Sequence, residues 1–153
     1  MAVAVTRFAE EDVHALGGLL IKMAWQEYKR FWRELSDHQL TPAQFQTLVA
    51  IKEHDTGCTM RHLATETNQV SATMTGIVDR LVEHGLVERK RNAQDRRTVL
   101  VYLTPKGKEK LETVYQARSS ALADCLESMD ATSRRHLAFS LQEYLQLVEQ
   151  NVS

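Results

Sequence analysis

Cysteine is scarce: Cys58 and Cys125 are the only two in 153 residues. Two widely spaced cysteines cannot build a disulfide framework, and neither forms a CxxC pair, so both are expected as reduced thiols. Long apolar runs are absent, and nothing approaches the ~20 residues that span a bilayer. The short apolar opening Met1–Val5 runs into Glu10, Glu11 and Asp12 and does not read as an export signal, which points to the cytoplasm and away from a membrane. The histidines His14, His38, His54, His62, His84 and His136 show neither HxxxH nor HExxH spacing, so no structural metal and no cofactor are expected. Also missing are a nucleophile–base pair, a phosphate-cradling glycine loop and informatively spaced paired carboxylates. Their absence argues against an enzyme.

A charge excess is lacking too, since the net charge is only −1. Its distribution is more informative. Between Arg89 and Lys110 stand eight basic residues against two acidic ones, a local +6 that leaves −7 on the rest of the chain. A basic segment on an acidic body suggests a localised contact with a polyanion; a solvated charged surface is the plainer alternative.

The chain holds only two prolines, Pro42 and Pro105, and each follows a threonine. Both read as helix starts, with Thr at the N-cap and Pro at the first helical position, where its missing N–H costs nothing. Thr41-Pro-Ala-Gln44 matches a capping box, and Leu40 and Phe45 occupy the positions of a hydrophobic staple. Before this start the spacing of Val13, Leu16, Leu20, Met23, Phe31 and Leu35 predicts a helix over roughly Glu11–Ser36. At ~37 Å such a helix is long for this chain, so part of it is expected to pack against another chain. Helices are further predicted over Pro42–His54, Met60–Glu66 with Thr59 as cap, and Ala72–His84 with Ser71 as cap and Gly85 past its end. After Gly85 the periodicity changes: Leu86–Arg91 and Val99–Leu103 read as strands around the polar turn Asn92–Thr98. Thr104-Pro105 then starts a helix to about Ser128, and Asp130 caps a last one to about Gln150, whose stripe is Leu137, Leu141, Leu145 and Val148.

This order defines a mainly α fold with a small β-hairpin wing: a winged helix-turn-helix over residues 39–104, flanked by long dimerisation helices over 1–38 and 105–153. In such a unit the second helix enters the major groove. Opposite the Met74/Ile77/Leu81 stripe that helix offers Ser71, Ala72, Thr75, Gly76 and Asp79, small or polar groups that allow a close approach, or simply a solvated face. At the hairpin tip, Asp95, Arg96 and Arg97 sit together. An arginine there can enter a minor groove, with the carboxylate holding it in position; an exposed salt bridge is the alternative.

The stretch Val78-Asp-Arg-Leu-Val82, Gly85-Leu-Val-Glu-Arg89, Asp95-Arg-Arg97 and Val99-x-Val-x-Leu-Thr-x-x-Gly107 resembles the MarR family (multiple antibiotic resistance regulators), and the helix order extends the resemblance over nearly the whole chain. It implies a homodimeric repressor whose two winged helices each read half of a pseudo-palindromic operator in double-stranded DNA. Arg97 then matches the wing-tip arginine, Asp95 its positioning carboxylate, and Thr75 and Gly76 base-facing positions. Some relatives carry a larger side chain at Gly76, so phosphate and shape readout gain weight here. Ser71, Thr73 and Arg96 are further candidates, and Arg80 is expected to tie the helix to the wing or to a phosphate. The resemblance also implies a small-molecule effector, phenolic in type, bound between the dimerisation helices and the winged helix; Trp25, Tyr28 and Trp32 could line that pocket or form an aromatic dimer core. The alternative to a DNA reader is a winged helix used as a protein-interaction module, which needs no basic tip.

Overall fold

The computed structural model describes residues 10–152 except 55, 93, 94 and 96. The first helix, α1 (Glu10–Asp37), runs for 28 residues, roughly 42 Å. It ends without glycine. Gln39 takes the left-handed conformation at φ 57°, and the Leu40 N–H returns to the Leu35 carbonyl at 2.9 Å. The capping box that starts α2 (Pro42–Lys52) is complete: Gln44 N–H donates to Thr41 Oγ1 at 3.2 Å, and Thr41 N–H to Gln44 Oε1 at 2.8 Å. This helix stops two residues short of the expected His54.

A two-residue strand, β1 (Cys58–Thr59), follows. It is too short to show an alternating pattern. Thr59 Oγ1 accepts from His62 N–H at 3.1 Å and starts α3 (Met60–Glu66) as expected. The next helix, α4 (Ser71–Glu83), corrects the sequence reading: its cap is Val70, with no side-chain hydrogen bond, and Ser71 is already helical. The reason lies in the preceding turn, where left-handed Asn68 (φ 52°) leaves Val70 extended one residue early. At the other end Gly85 adopts φ +70°, and Leu86 N–H donates to the Leu81 carbonyl at 2.9 Å. Leu86 therefore closes the helix, and strand β2 (Val87–Arg91) begins one residue later than expected.

Strand β3 (Val99–Leu103) pairs antiparallel with β2 from Val87↔Leu103 to Arg91↔Val99, and with β1 at Cys58↔Val101. The sheet order is β1-β3-β2. Helix α5 (Pro105–Glu127) starts at Thr104, whose Oγ1 accepts from Gly107 N–H at 3.0 Å and donates to the Gly85 carbonyl at 2.7 Å. A Cβ on Gly107 would collide with the Leu86 carbonyl oxygen. The Leu-Thr-x-x-Gly string is thus a welding point between the end of α4 and the start of α5. The last helix, α6 (Ala131–Val152), is capped by Asp130, whose Oδ1 accepts from the Thr132 and Ser133 N–H groups at 2.9 and 3.0 Å.

The chain divides into two compact units, Met1–Val114 and Tyr115–Ser153. The core belongs to the first: Leu35, Leu48, Leu63, Met74, Val78, Leu81, Val101 and Val114 are fully enclosed. Each of these side chains contributes on the order of 2 kcal/mol by leaving water. In the second unit none of the described side chains is fully buried. Among the described residues no helix is long and apolar enough to cross a membrane.

Candidate nucleic-acid interface

Met74, Val78 and Leu81 seat α4 in the core, at intervals of three and four residues. That anchoring decides which residues face out. Ser71, Thr73, Thr75, Gly76 and Arg80, all expected at the interface, are exposed. Thr75 Oγ1 donates to the Ser71 carbonyl at 3.0 Å, which turns its methyl and oxygen lone pairs into a fixed outward surface. A Cβ built on Gly76 meets nothing within 4 Å. The glycine is not forced by packing; it leaves a smooth place on the helix. Thr73, Gly76 and Arg80 border a small groove of about 210 Å³ with Thr41 and Gln44.

The hairpin is fastened to this helix by a residue pair that the sequence reading missed. Arg89 Nη1 on β2 donates to Asp79 Oδ1 on α4 at 2.6 Å. Arg80, expected in that role, pairs with no carboxylate among the described residues and remains available to a phosphate. No local pattern in the sequence announced this pairing, since Asp79 and Arg89 lie ten residues apart on different elements. Further along β2, Lys90 lies 2.6 Å from Glu88 and 5.5 Å from the centre of the Tyr102 ring. Part of the local positive charge is thus already matched within the protein, whereas Arg91 and Arg97 stand exposed.

Asp95 does hold the wing turn, but through the backbone. Its Oδ1 accepts from Arg97 N–H at 3.0 Å and its Oδ2 from Thr98 Oγ1 at 2.8 Å. The turn closes with Thr98 N–H on the Asp95 carbonyl and Asn92 N–H on the Thr98 carbonyl, both 2.9 Å. The Arg97 backbone bond, followed by the Thr98 hydroxyl, keeps the Asp95 carboxyl below the usual carboxylate range. Asp95 thus holds Arg97 by its main-chain N–H and not by its side chain: among the described residues the Arg97 guanidinium pairs with no carboxylate. Arg96, also expected at the tip, lies outside the described residues.

The aromatic residues Trp25, Tyr28 and Trp32 form a ladder on α1, with ring centres 5.7 Å apart (stacked) and 5.8 Å apart (edge-on), each about half exposed. Tyr28 and Trp32 border a shallow depression with Lys29 and Arg33, of which Trp25 is not part. A deeper cleft of about 540 Å³ lies elsewhere, among Ile51, His54, Tyr102, Leu103, Lys108 and Glu112 at the junction of α2, β3 and α5.

A supporting helix, a core-anchored reading helix with a polar outer face, and a hairpin tied to it make this a winged helix-turn-helix protein. Residues 38–98 match the family model described as MarR family. The chain is 30% identical over 135 residues to the HTH-type transcriptional repressor NicR of Pseudomonas putida, covering 88% of this chain and 85% of that one. It is also similar to the solved structure of a MarR family protein from Bacillus stearothermophilus, at 28% identity and a TM-score of 0.79 over 93% of this chain and 99% of that one. A mutant of MepR from S. aureus, solved bound to an oligodeoxyribonucleotide, shares the fold at 18% identity and a TM-score of 0.73, over 87% of this chain and 97% of its own. The chain belongs to the MarR family of transcriptional regulators.

Proposed function

We propose that this chain is a ligand-responsive repressor that binds a pseudo-palindromic operator as a homodimer, with α4 in the major groove and Arg97 in the flanking minor groove. The observation that carries the reading is the wing tip. Asp95 closes a turn that leaves the Arg97 guanidinium exposed, on a hairpin tied to α4 by Asp79 and Arg89. A narrow minor groove attracts such a cation strongly. Ser71, Thr73, Thr75 and Arg80 offer hydroxyls and a guanidinium to phosphates and base edges, and smooth Gly76 permits close seating. Two copies must hold their α4 helices about 34 Å apart to meet successive major grooves. The exposed apolar side chains of α1 and α6 supply the surface for that pairing. The name of the similar NicR protein supports repression as the sign of regulation.

An effector acts only if it binds the DNA-competent and incompetent dimers differently. The cleft at the α2, β3 and α5 junction touches the sheet that carries the wing and is a better receptacle than the shallow α1 surface, where Trp25, Tyr28 and Trp32 suit a dimer contact. The deciding experiment is a gel shift with the DNA flanking the protein's own coding region, for wild type and Arg97→Ala across a salt titration. Wild type should retard a palindromic fragment, and the variant should bind about 10-fold more weakly with a shallower salt slope. Equal binding removes the wing from the interface. No retardation of any flanking fragment leaves the protein-interaction module as the reading.

A further inference from the structure

Away from α4 and the wing, folding gathers four metal-ligating side chains that no recognised spacing announces. His62 and Glu66 stand one turn apart on α3, His54 follows the end of α2, and Cys58 lies on β1. His54 Nε2 and His62 Nε2 are 3.0 Å apart. Glu66 Oε2 is 3.3 Å from the first and 3.1 Å from the second. Cys58 Sγ forms a second, overlapping group with the two imidazoles, one that does not include Glu66 and whose ligand atoms lie within 4.8 Å of one another. The chain between His54 and Cys58 is held by Gly57, at φ +83°, whose N–H donates to the His54 carbonyl at 3.0 Å and whose Cα faces the Tyr102 ring.

Hydrogen bonding alone serves this cluster poorly. Each Nε2 has one proton or one lone pair, directed along a single line in the ring plane, yet each has two close polar neighbours. Three donor atoms converging on one point are instead suited to a cation at that point. Tetrahedral coordination with bonds of ~2.0–2.2 Å puts ligand atoms ~3.3–3.6 Å apart, slightly wider than the observed triangle of 3.0, 3.1 and 3.3 Å.

We propose that His54, Cys58, His62 and Glu66 bind a first-row divalent cation, with zinc the best match. Two imidazoles, a thiolate and a carboxylate form a mixed N, S and O set of the kind zinc accepts in tetrahedral geometry. Calcium and magnesium prefer oxygen ligands. On binding, the Cys58 S–H bond breaks, its proton passes to solvent and an S–metal bond forms. The sulfur moves in from the buried floor of the site while His54, His62 and Glu66 close it at the surface. The bound ion clamps the turn after α2 to α3, the supporting helix beneath α4. None of this depends on the DNA reading.

The test uses the full-length protein, stripped with chelator and titrated with cobalt and then zinc. One equivalent of cobalt per chain is expected, with the visible bands of a tetrahedral ion and a thiolate-to-cobalt charge-transfer band, both abolished by zinc. Zinc should also raise the melting temperature. His62 is at the surface, so His62→Gln should keep its circular dichroism spectrum and lose more than about 100-fold in affinity, at or beyond the cost of losing an outer-shell partner. Absence of cobalt binding at micromolar concentration, an octahedral spectrum without the charge-transfer band, or equal binding by wild type and His62→Gln would each overturn the assignment.

Discussion

The winged-helix elements and the terminal helices use hydrophobic residues in opposite ways. From α2 to β3, Leu48, Leu63, Met74, Val78, Leu81 and Val101 turn inward to 0% exposure, and only the valines Val70, Val82 and Val99 are exposed among the large apolar side chains described there. On α1, Leu19 is 64% and Ile21 73% exposed, and on α6 Phe139 is 62% and Leu147 57% exposed. Both regions are amphipathic helices by pattern. The difference is that the first packs three helices against a small sheet and satisfies its stripes within the chain, while the second has stripes with too little of the same chain to cover them. Large apolar side chains left exposed on each of these helices mark interaction surfaces. One region is therefore a packed reading head, and under the proposed homodimer the other is the face that a second copy would cover.

Substitutions can break this contrast, beginning where the largest effect is expected. Leu81→Ala empties a fully enclosed site and should cost about 2–5 kcal/mol in chemical denaturation. A loss below about 1 kcal/mol would mean that the reading head is not the tightly packed region. Leu16→Glu with Leu145→Glu places charges on the exposed stripes of α1 and α6. Light scattering should then give the 17.5 kDa chain in place of a dimer while circular dichroism stays near wild type. If the doubly substituted chain still dimerises, those stripes have another use. Arg97→Ala should leave both packing and dimerisation alone and weaken DNA binding by about 10-fold.

The smallest effect concerns Asp95. Its carboxyl titrates below the ordinary range because the charged form receives the Arg97 N–H and the Thr98 hydroxyl. The folded value lies below the unfolded one, so the closed turn is favoured above about pH 3.9 and the advantage disappears as pH falls through the folded value. DNA affinity should therefore show no Asp95-linked change between about pH 5 and pH 8. Asp95→Asn should lower it several-fold throughout that window in an anisotropy titration. A variant as tight as wild type would show that the Thr98 and Asn92 backbone bonds suffice to shape the turn.

Much of the fold was legible because local chemistry announces helix ends. Thr41-Pro-Ala-Gln44, Thr59, Thr104-Pro and Asp130 all cap as their side chains imply, and Gly85 takes the positive φ that ends α4. Legibility stopped where partners meet only through tertiary structure. Strand β1 is two residues long and exists because Cys58 and Thr59 find Val101 and Leu100. Asp79 meets Arg89 across ten residues and a change of element. Asp95 was recognised as the organiser of the tip, but its choice of a backbone N–H over a guanidinium depends on the dihedral angles of the turn. The early start of α4 at Ser71 likewise follows from the left-handed Asn68, a conformation that a polar connection does not advertise.

Hydroxyl-radical footprinting on the flanking operator, with protein mass measured on the same complex, tests the central claim most directly. Two chains per duplex should protect two half-sites centred about one helical turn apart, each with protection extending into the adjoining minor groove that Arg97 is proposed to enter. Protection of a single half-site by one chain, or a footprint that Arg97→Ala leaves unchanged in the minor groove, would contradict it.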